Sequence, residues 1–273
     1  MVKIDYFSLL SPLPLPTPIG NIKSPTLLDI SRIGYQTYQS YLNLLLMNIS
    51  SYYSFIDKYE ESYFYNYTNS QKELVIQVKK EYENFTDDQK LNVTFFDIFI
   101  FDVLFCQQLV EALNFFFDED VEYDFNARIF NIYKKENNEK SLIGFINASN
   151  YDDITDIILQ RVNVQKNISE ENVKVKNKLA AKLLEKIKKG EEKKVKKEDK
   201  KTELGNVISS LSAHSKCLNI VNIWDLTIYQ LYDQFRKQQY DDMYNIQSIN
   251  VSVWGNKDGK FDNSQWFSIL NEK

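Results

Sequence analysis

Apolar residues recur at helical spacing over most of the first 120 positions. Ile30, Ile33, Tyr38, Tyr41, Leu42 and Leu45 share one face and predict a helix from about Leu27 to Met47. Thr26 followed by Asp29 resembles a capping box with aspartate in place of glutamate, and it marks the start of that helix. Further helices are predicted near 51–62, 70–84 and 94–117. The last is apolar nearly all round, as the central helix of a core should be. Asp118-Glu119-Asp120 stops it, because acidic side chains sit badly at the negative end of a helix.

The period then changes. Ala127–Tyr133 and Ser141–Asn147 alternate across the polar stretch Lys134–Lys140 and predict a β-hairpin. The acidic stretch Asp118–Asp124 before it reads as a solvated connection. Near the start, Val2–Tyr6 alternates like a short strand. All five prolines fall between Pro12 and Pro25, and the alternation Pro12–Pro18 predicts an extended, rigid arm with few backbone donors. Asn150 is placed to cap a helix over Asp152–Val162.

From Ser169 to Glu203 aromatic residues vanish and lysine dominates. Leu179, Leu183, Leu184 and Ile187 form one helical stripe before Gly190, after which Val195 is the single apolar residue up to Lys201. This predicts a boundary: a helix-rich α+β domain at 1–168, a Lys/Glu-rich helix or linker at 169–203, and an aromatic-rich module at 204–273. In the module, Val207, Ile208 and Leu211 predict a short helix. Asp225 is the expected N-cap of a Leu226–Met243 helix on which Tyr229, Tyr232, Phe235 and Arg236 share a face. Ile249–Trp254 alternates and predicts a short β element, followed by a turn through Gly255–Gly259. The expected class is α+β, predominantly helical.

Composition changes this picture little. The chain has 273 residues, enough for one large or two small domains. Its 18 Tyr, 18 Phe and 3 Trp exceed ordinary usage, but so do Asn, Ile and Lys, which points to an AT-rich genome before it points to function. The net charge of −5 conceals a basic stretch at 170–203, so the remaining surface is clearly acidic and a poor match for nucleic acid. Phe95–Phe117 carries Asp97, Asp102, Gln107, Gln108 and Glu111, a load that argues against a membrane span. Met1–Asp5 opens without the apolar run of a secretion signal, and a reducing, cytosolic setting is expected for Cys106 and Cys217.

No catalytic constellation stands out. Seven dispersed glycines form no phosphate-binding loop, and a triad would have to centre on His214, whose setting Ser212–Lys216 lacks the glycines of a nucleophile elbow. The carboxylates of Asp118–Asp124 lack the spacing of a calcium loop, and His214 with two distant cysteines makes no familiar zinc site. The expectation is a protein that is not an enzyme and has no catalytic, cofactor or metal site. Its candidate contact residues are Trp224, Tyr229, Tyr232, Phe235 and Arg236, aromatic anchors suited either to a partner or to the module's own core.

Three segments carry a family resemblance. Ile22-Lys23-Ser24-Pro25-Thr26-Leu27-Leu28-Asp29-Ile30 opens into a helix, with Gly34-Tyr35 and a Tyr-Leu run following. Phe115-Phe116-Phe117 ends an apolar helix, and Ile223-Trp224-Asp225-Leu226-Thr227-Ile228-Tyr229-Gln230-Leu231-Tyr232-Asp233 opens the aromatic helix. In order and spacing they resemble the tail assembly chaperone-like proteins of long-tailed bacteriophages infecting low-GC Gram-positive bacteria. The proline-rich insertion at Pro12–Pro18 departs from that pattern. The resemblance implies a non-enzymatic role in tail morphogenesis in the host cytoplasm, with the tape-measure protein or another tail component as partner. A structural tail or connector subunit is the alternative. Self-association is a further partner expectation, whereas nucleic acid and membrane are not expected.

Overall fold

The computed structural model describes residues 3–136, 139–164, 166, 203–256, 259 and 261–267. The helix or linker expected at 169–203 lies, but for Glu203, outside them. Among the described residues the fold is α+β and predominantly helical, with one two-stranded and one three-stranded antiparallel sheet. The chain divides into two units, Met1–Pro25 with Asp29–Lys166, and Thr26–Leu28 with Asn167–Lys273.

The core of the first unit is built on the apolar run at 94–117, which is two helices instead of one. Thr94 caps Phe95–Phe99 in a capping box with Asp97, and Asp102 caps Val103–Phe116 by accepting from the Phe105 N–H. A short carboxylate at the right offset competes for backbone donors, so the run breaks where Asp102 stands. Both helices are buried on most sides: Phe96, Phe99, Phe105, Cys106, Leu109, Leu113 and Phe116 are all core residues. Phe99 lies 4.9–6.4 Å, centroid to centroid, from Phe95, Phe96, Phe105, Phe130 and Tyr151, in the tilted and edge-on arrangements that aromatic quadrupoles favour.

Other predicted helices are present with revised ends. The expected Leu27–Met47 helix is interrupted at Gly34, whose φ of 87° is left-handed, giving Leu27–Ile33 and Tyr35–Leu46. Ile49–Lys58 and Glu60–Tyr63 replace 51–62, and Asn69–Glu83 starts from a Thr68–Gln71 capping box. Val2–Tyr6 is not a strand from Ile4 onward. The Asp5 carboxylate accepts from the Ser8 N–H at 2.9 Å and caps the helix Tyr6–Leu10, a local bond that outweighs five alternating positions. Asn150 precedes the helix Tyr151–Arg161 without capping it. Its side chain instead accepts from the Asn147 N–H and donates to the Phe145 carbonyl.

Part of the proline-rich segment is paired. Strand β1 (Leu15–Thr17) lies antiparallel to β2 (Gly20–Ile22), with Pro16 on a short two-stranded ribbon where a missing donor is tolerated. The predicted hairpin is β4 (Ile129–Glu136) and β5 (Glu139–Ile146), with a register shift at Ile132/Tyr133. The acidic stretch is not a solvated connection. It forms a third strand, β3 (Asp120–Asp124), paired antiparallel to β4 in the order β3-β4-β5. Val121 is buried there, and the Asn114 side chain bonds both its N–H and its carbonyl at 2.8 and 2.9 Å. Glu119 is buried too, its carboxylate accepting from the Asn21 backbone and side-chain nitrogens at 2.8 Å each. The partner of Glu119 lies 98 positions upstream, and Lys135 and Lys140 of the neighbouring strands pair with Asp120 and Glu122, none of which acidity alone announces.

Gly144 of β5 faces Ile19 so closely that an added Cβ would lie 2.7 Å from its Cβ and 2.8 Å from its Cα. Backbone cannot yield as a side-chain tip can. Gly144→Ala is therefore expected to cost about 1–3 kcal/mol, a drop of several degrees in the thermal midpoint of the first unit.

In the second unit, Leu204–His214 packs on the long helix Ile228–Trp254. Thr227, not Asp225, caps that helix: Thr227 Oγ1 accepts from the Gln230 N–H, and Gln230 Oε1 accepts from the Thr227 N–H. Asp225 instead closes a 3-10 turn at Ile223–Asp225. Ile249–Trp254 is no β element but the last turns of the helix, which ends at Gly255. Six alternating residues cannot override a helix already capped and extended past five turns. Thr26–Leu28 joins this unit through the Leu27 N–H, which donates to the Leu226 carbonyl at 2.9 Å.

Candidate interaction surface

The loop ahead of the long helix is held by its own polar side chains. Asn219 Oδ1 accepts from the Val221 and Asn222 N–H groups, and Asn222 Oδ1 accepts from the Asn219 N–H at 2.7 Å. Such Asx turns fix a backbone without a ladder. They leave Ile220 and Val221 in solvent, Val221 at 80% exposure. Trp224 Nε1 donates to the Ile220 carbonyl at 2.9 Å, so the half-buried indole is anchored beneath them. Ile220, Val221 and Trp224 thus form an apolar loop surface in which the Val221 N–H, the Ile220 carbonyl and the indole N–H are already paired.

The candidate contact residues separate by depth. Tyr229 is buried, beside buried Ile228 and Leu231, whereas Trp224, Tyr232, Phe235 and Arg236 are half-buried. The more exposed apolar side chains lie further along the same helix: Tyr240, Met243, Ile246, Ile249, Val253 and Trp254. Alternation over Ile249–Trp254 conceals the last three of them from the sequence, and the predicted end at Met243 leaves out Ile246. The available signal was Met243, Ile246 and Val253 at spacings of three and seven. The opposite side of the helix is covered, with Tyr244 stacked on Phe261 at 5.5 Å. His214 Nε2 meets Asp242 Oδ1 at 3.0 Å, and that hydrogen bond holds the Asp242 carboxyl below its ordinary range.

Residues 194–271 match the family model described as the YomV second domain. YomV is a Bacillus phage-region protein, so this segment is similar to a phage-associated domain, in keeping with a phage of low-GC Gram-positive hosts. The match covers less than a third of the chain but includes the whole surface just described. No curated protein and no solved structure matches the chain.

The first unit holds the other notable cluster. The Asp102 carboxylate, 1% exposed, accepts from the hydroxyls of Tyr52 at 2.7 Å, Tyr63 at 2.5 Å and Tyr67 at 2.6 Å. Burial, reinforced by the Asp102 charge, pushes all three phenols well above their ordinary range. Burial raises the Cys106 thiol likewise. The raised phenols stay protonated at neutral pH and so remain donors to the Asp102 carboxylate. Nearby, an open groove of about 900 Å³ is lined by Gln71, Leu74, Val103, Gln107, Val110 and Glu122 among others. Among the described residues, no three His, Cys, Asp or Glu side chains are grouped to hold a metal ion.

The raised phenols imply a pH dependence. Each folded value lies above the unfolded one, near 10, so their contribution to stability is complete below about pH 10 and declines as pH rises beyond it. Urea midpoints are expected to be level between pH 7 and about 9.5 and to fall above it, less steeply in Tyr52→Phe.

Proposed function

We propose that this chain is a non-enzymatic bacteriophage tail morphogenesis protein, an assembly chaperone whose C-terminal module binds the tape-measure protein or another tail component in the host cytoplasm. The observation that carries the reading is that the YomV-like segment holds the apolar loop Ile220–Trp224 on a stiffened backbone. The three-segment resemblance supports the tail assignment. A chaperone has to cover apolar helical surface on its client, and pre-ordered aromatic and branched side chains do this at low entropic cost. Tyr232 and Phe235, half-buried on the adjoining helix, extend the surface.

Co-expression of the full chain with the tape-measure protein tests the proposal. Wild type is expected to retain it on affinity capture, and Val221→Lys and Trp224→Ala to lower capture about tenfold or more. Failure of folded wild type to capture any tail component overturns the reading. Stoichiometric retention of the chain in purified mature virions, read by mass spectrometry, would make it a structural subunit instead.

A further inference from the structure

The Ile228–Trp254 helix carries a second, independent surface. Setting Met243 as position a of a heptad puts Ile246 at d, Asn250 at a and Val253 at d. The other exposed apolar residues of this half of the helix fall on the flanks of that seam, Tyr240 and Trp254 at e and Ile249 at g. Turned toward the module itself are Tyr244, Ser248 and Val251 at b and f, all half-buried, together with Asp242 at g, which bonds His214. A helix that only decorated its own module would have one apolar side. This one has two on opposite sides, and the uncovered one has coiled-coil spacing.

We infer that this seam pairs, parallel and in register, with the same seam of a second copy of the chain. Three observations select that occupant. The exposed side chains Met243, Ile246, Ile249, Val253 and Trp254 are each 50–71% accessible, and with Tyr240 they line one stretch of a single helix, an apolar patch of the kind that marks a protein contact. The lone polar residue on the seam is Asn250 at a, where two asparagines of a parallel pair meet and hydrogen-bond, fixing register. Flank residues are also self-complementary. In a parallel pair g faces e of the next heptad, so Ile249 meets Trp254 of the second copy. Apolar flanks widen a seam that spans only about two heptads, roughly 21 Å of helix.

The experiment is sedimentation equilibrium on the full chain from 1 to 100 µM. Wild type is expected at twice the 32.3 kDa chain mass in the upper part of that range. Ile246→Lys and Val253→Lys, both at exposed positions, are expected to keep the wild-type circular dichroism and to weaken dimerisation on the order of 100-fold. In a Cys217→Ser background, Asn250→Cys is expected to form a disulfide-linked dimer on mild oxidation much faster than the same variant carrying Ile246→Lys, because a parallel, in-register pair holds the two thiols together whereas monomers link only by collision. Monomeric wild type at 100 µM overturns the inference. So does a dimer indifferent to Ile246→Lys, or a monomeric wild type whose tape-measure capture is lost in that variant, which would assign the seam to the client. The mass measurement involves no tail component, so its outcome is separate from that of the capture test.

Discussion

Replacing Asp102 with alanine is expected to destabilise the first unit by about 3–5 kcal/mol. The carboxylate accepts four hydrogen bonds, from Tyr52, Tyr63, Tyr67 and the Phe105 N–H. Removing it strands the Tyr52 hydroxyl, whose side chain is 1% exposed among the rings of Tyr53, Phe95 and Phe105, and removes the cap of the central helix. Tyr63 and Tyr67 are half-buried and recover some hydration, which keeps the loss toward the lower half of that range. Asp102→Asn is the sharper comparison. It preserves shape but puts an NH₂ where hydroxyl donors converge, so a tyrosine facing it must accept instead of donate and its own O–H loses its acceptor, at about 1–3 kcal/mol. Tyr52→Phe removes one donor without leaving a buried group stranded and is expected to cost about 1 kcal/mol. Urea titrations of the set check the ordering. A loss under about 1 kcal/mol in Asp102→Ala would show that water takes over the carboxylate's role.

The same residue shows what was legible in the sequence. Asp102 stood out as a polar intrusion in an apolar run, and that was enough to argue against a membrane span. Its role as a cap follows a local rule and was readable at its offset from Phe105. Its three tyrosines come from 35 to 50 positions upstream, and no local pattern announces them. The candidate surface divides in the same way. Thr227 and Gln230 are a capping box visible in the sequence, yet Asp225 two positions earlier is an equally good residue type, and only the 3-10 turn at Ile223–Asp225 decides between them. The extension of the helix to Trp254 was hidden because Ile249, Val251 and Val253 alternate, and period two over six residues cannot be told from the edge of a wide helical stripe. Burial of Tyr229 beside the partial exposure of Tyr232 reflects which side of one helix the module covers. That is a tertiary fact.

Arg161 gives the second large effect, and it too arises from distant contacts. The residue is fully buried, and its guanidinium donates to the carbonyls of Ser8 at 2.7 Å, Ser11 at 3.2 Å and Leu13 at 2.6 Å. Burial lowers its pKa from the ordinary arginine range without threatening the charge. Two of the carbonyls it serves, those of Ser11 and Leu13, flank Pro12 and Pro14, in a stretch whose prolines have no N–H to offer one another, and the third, of Ser8, belongs to the helix just before it. A planar fork reaching three acceptors replaces the missing ladder, and lysine, a point donor on a flexible stem, cannot. Arg161→Ala is expected to cost about 2–4 kcal/mol, less than three charge-assisted bonds would suggest, because the strap can detach and return its carbonyls to water. Arg161→Lys should recover less than half of the loss. The two ways of failing have different signatures. Detachment predicts faster amide exchange at Leu9 and Ser11 and new protease cleavage ahead of Pro25, with the Asp102 cluster still protected. If protection of Tyr52 and Phe105 falls in parallel, Arg161 is part of the cooperative core and the strap cannot open alone.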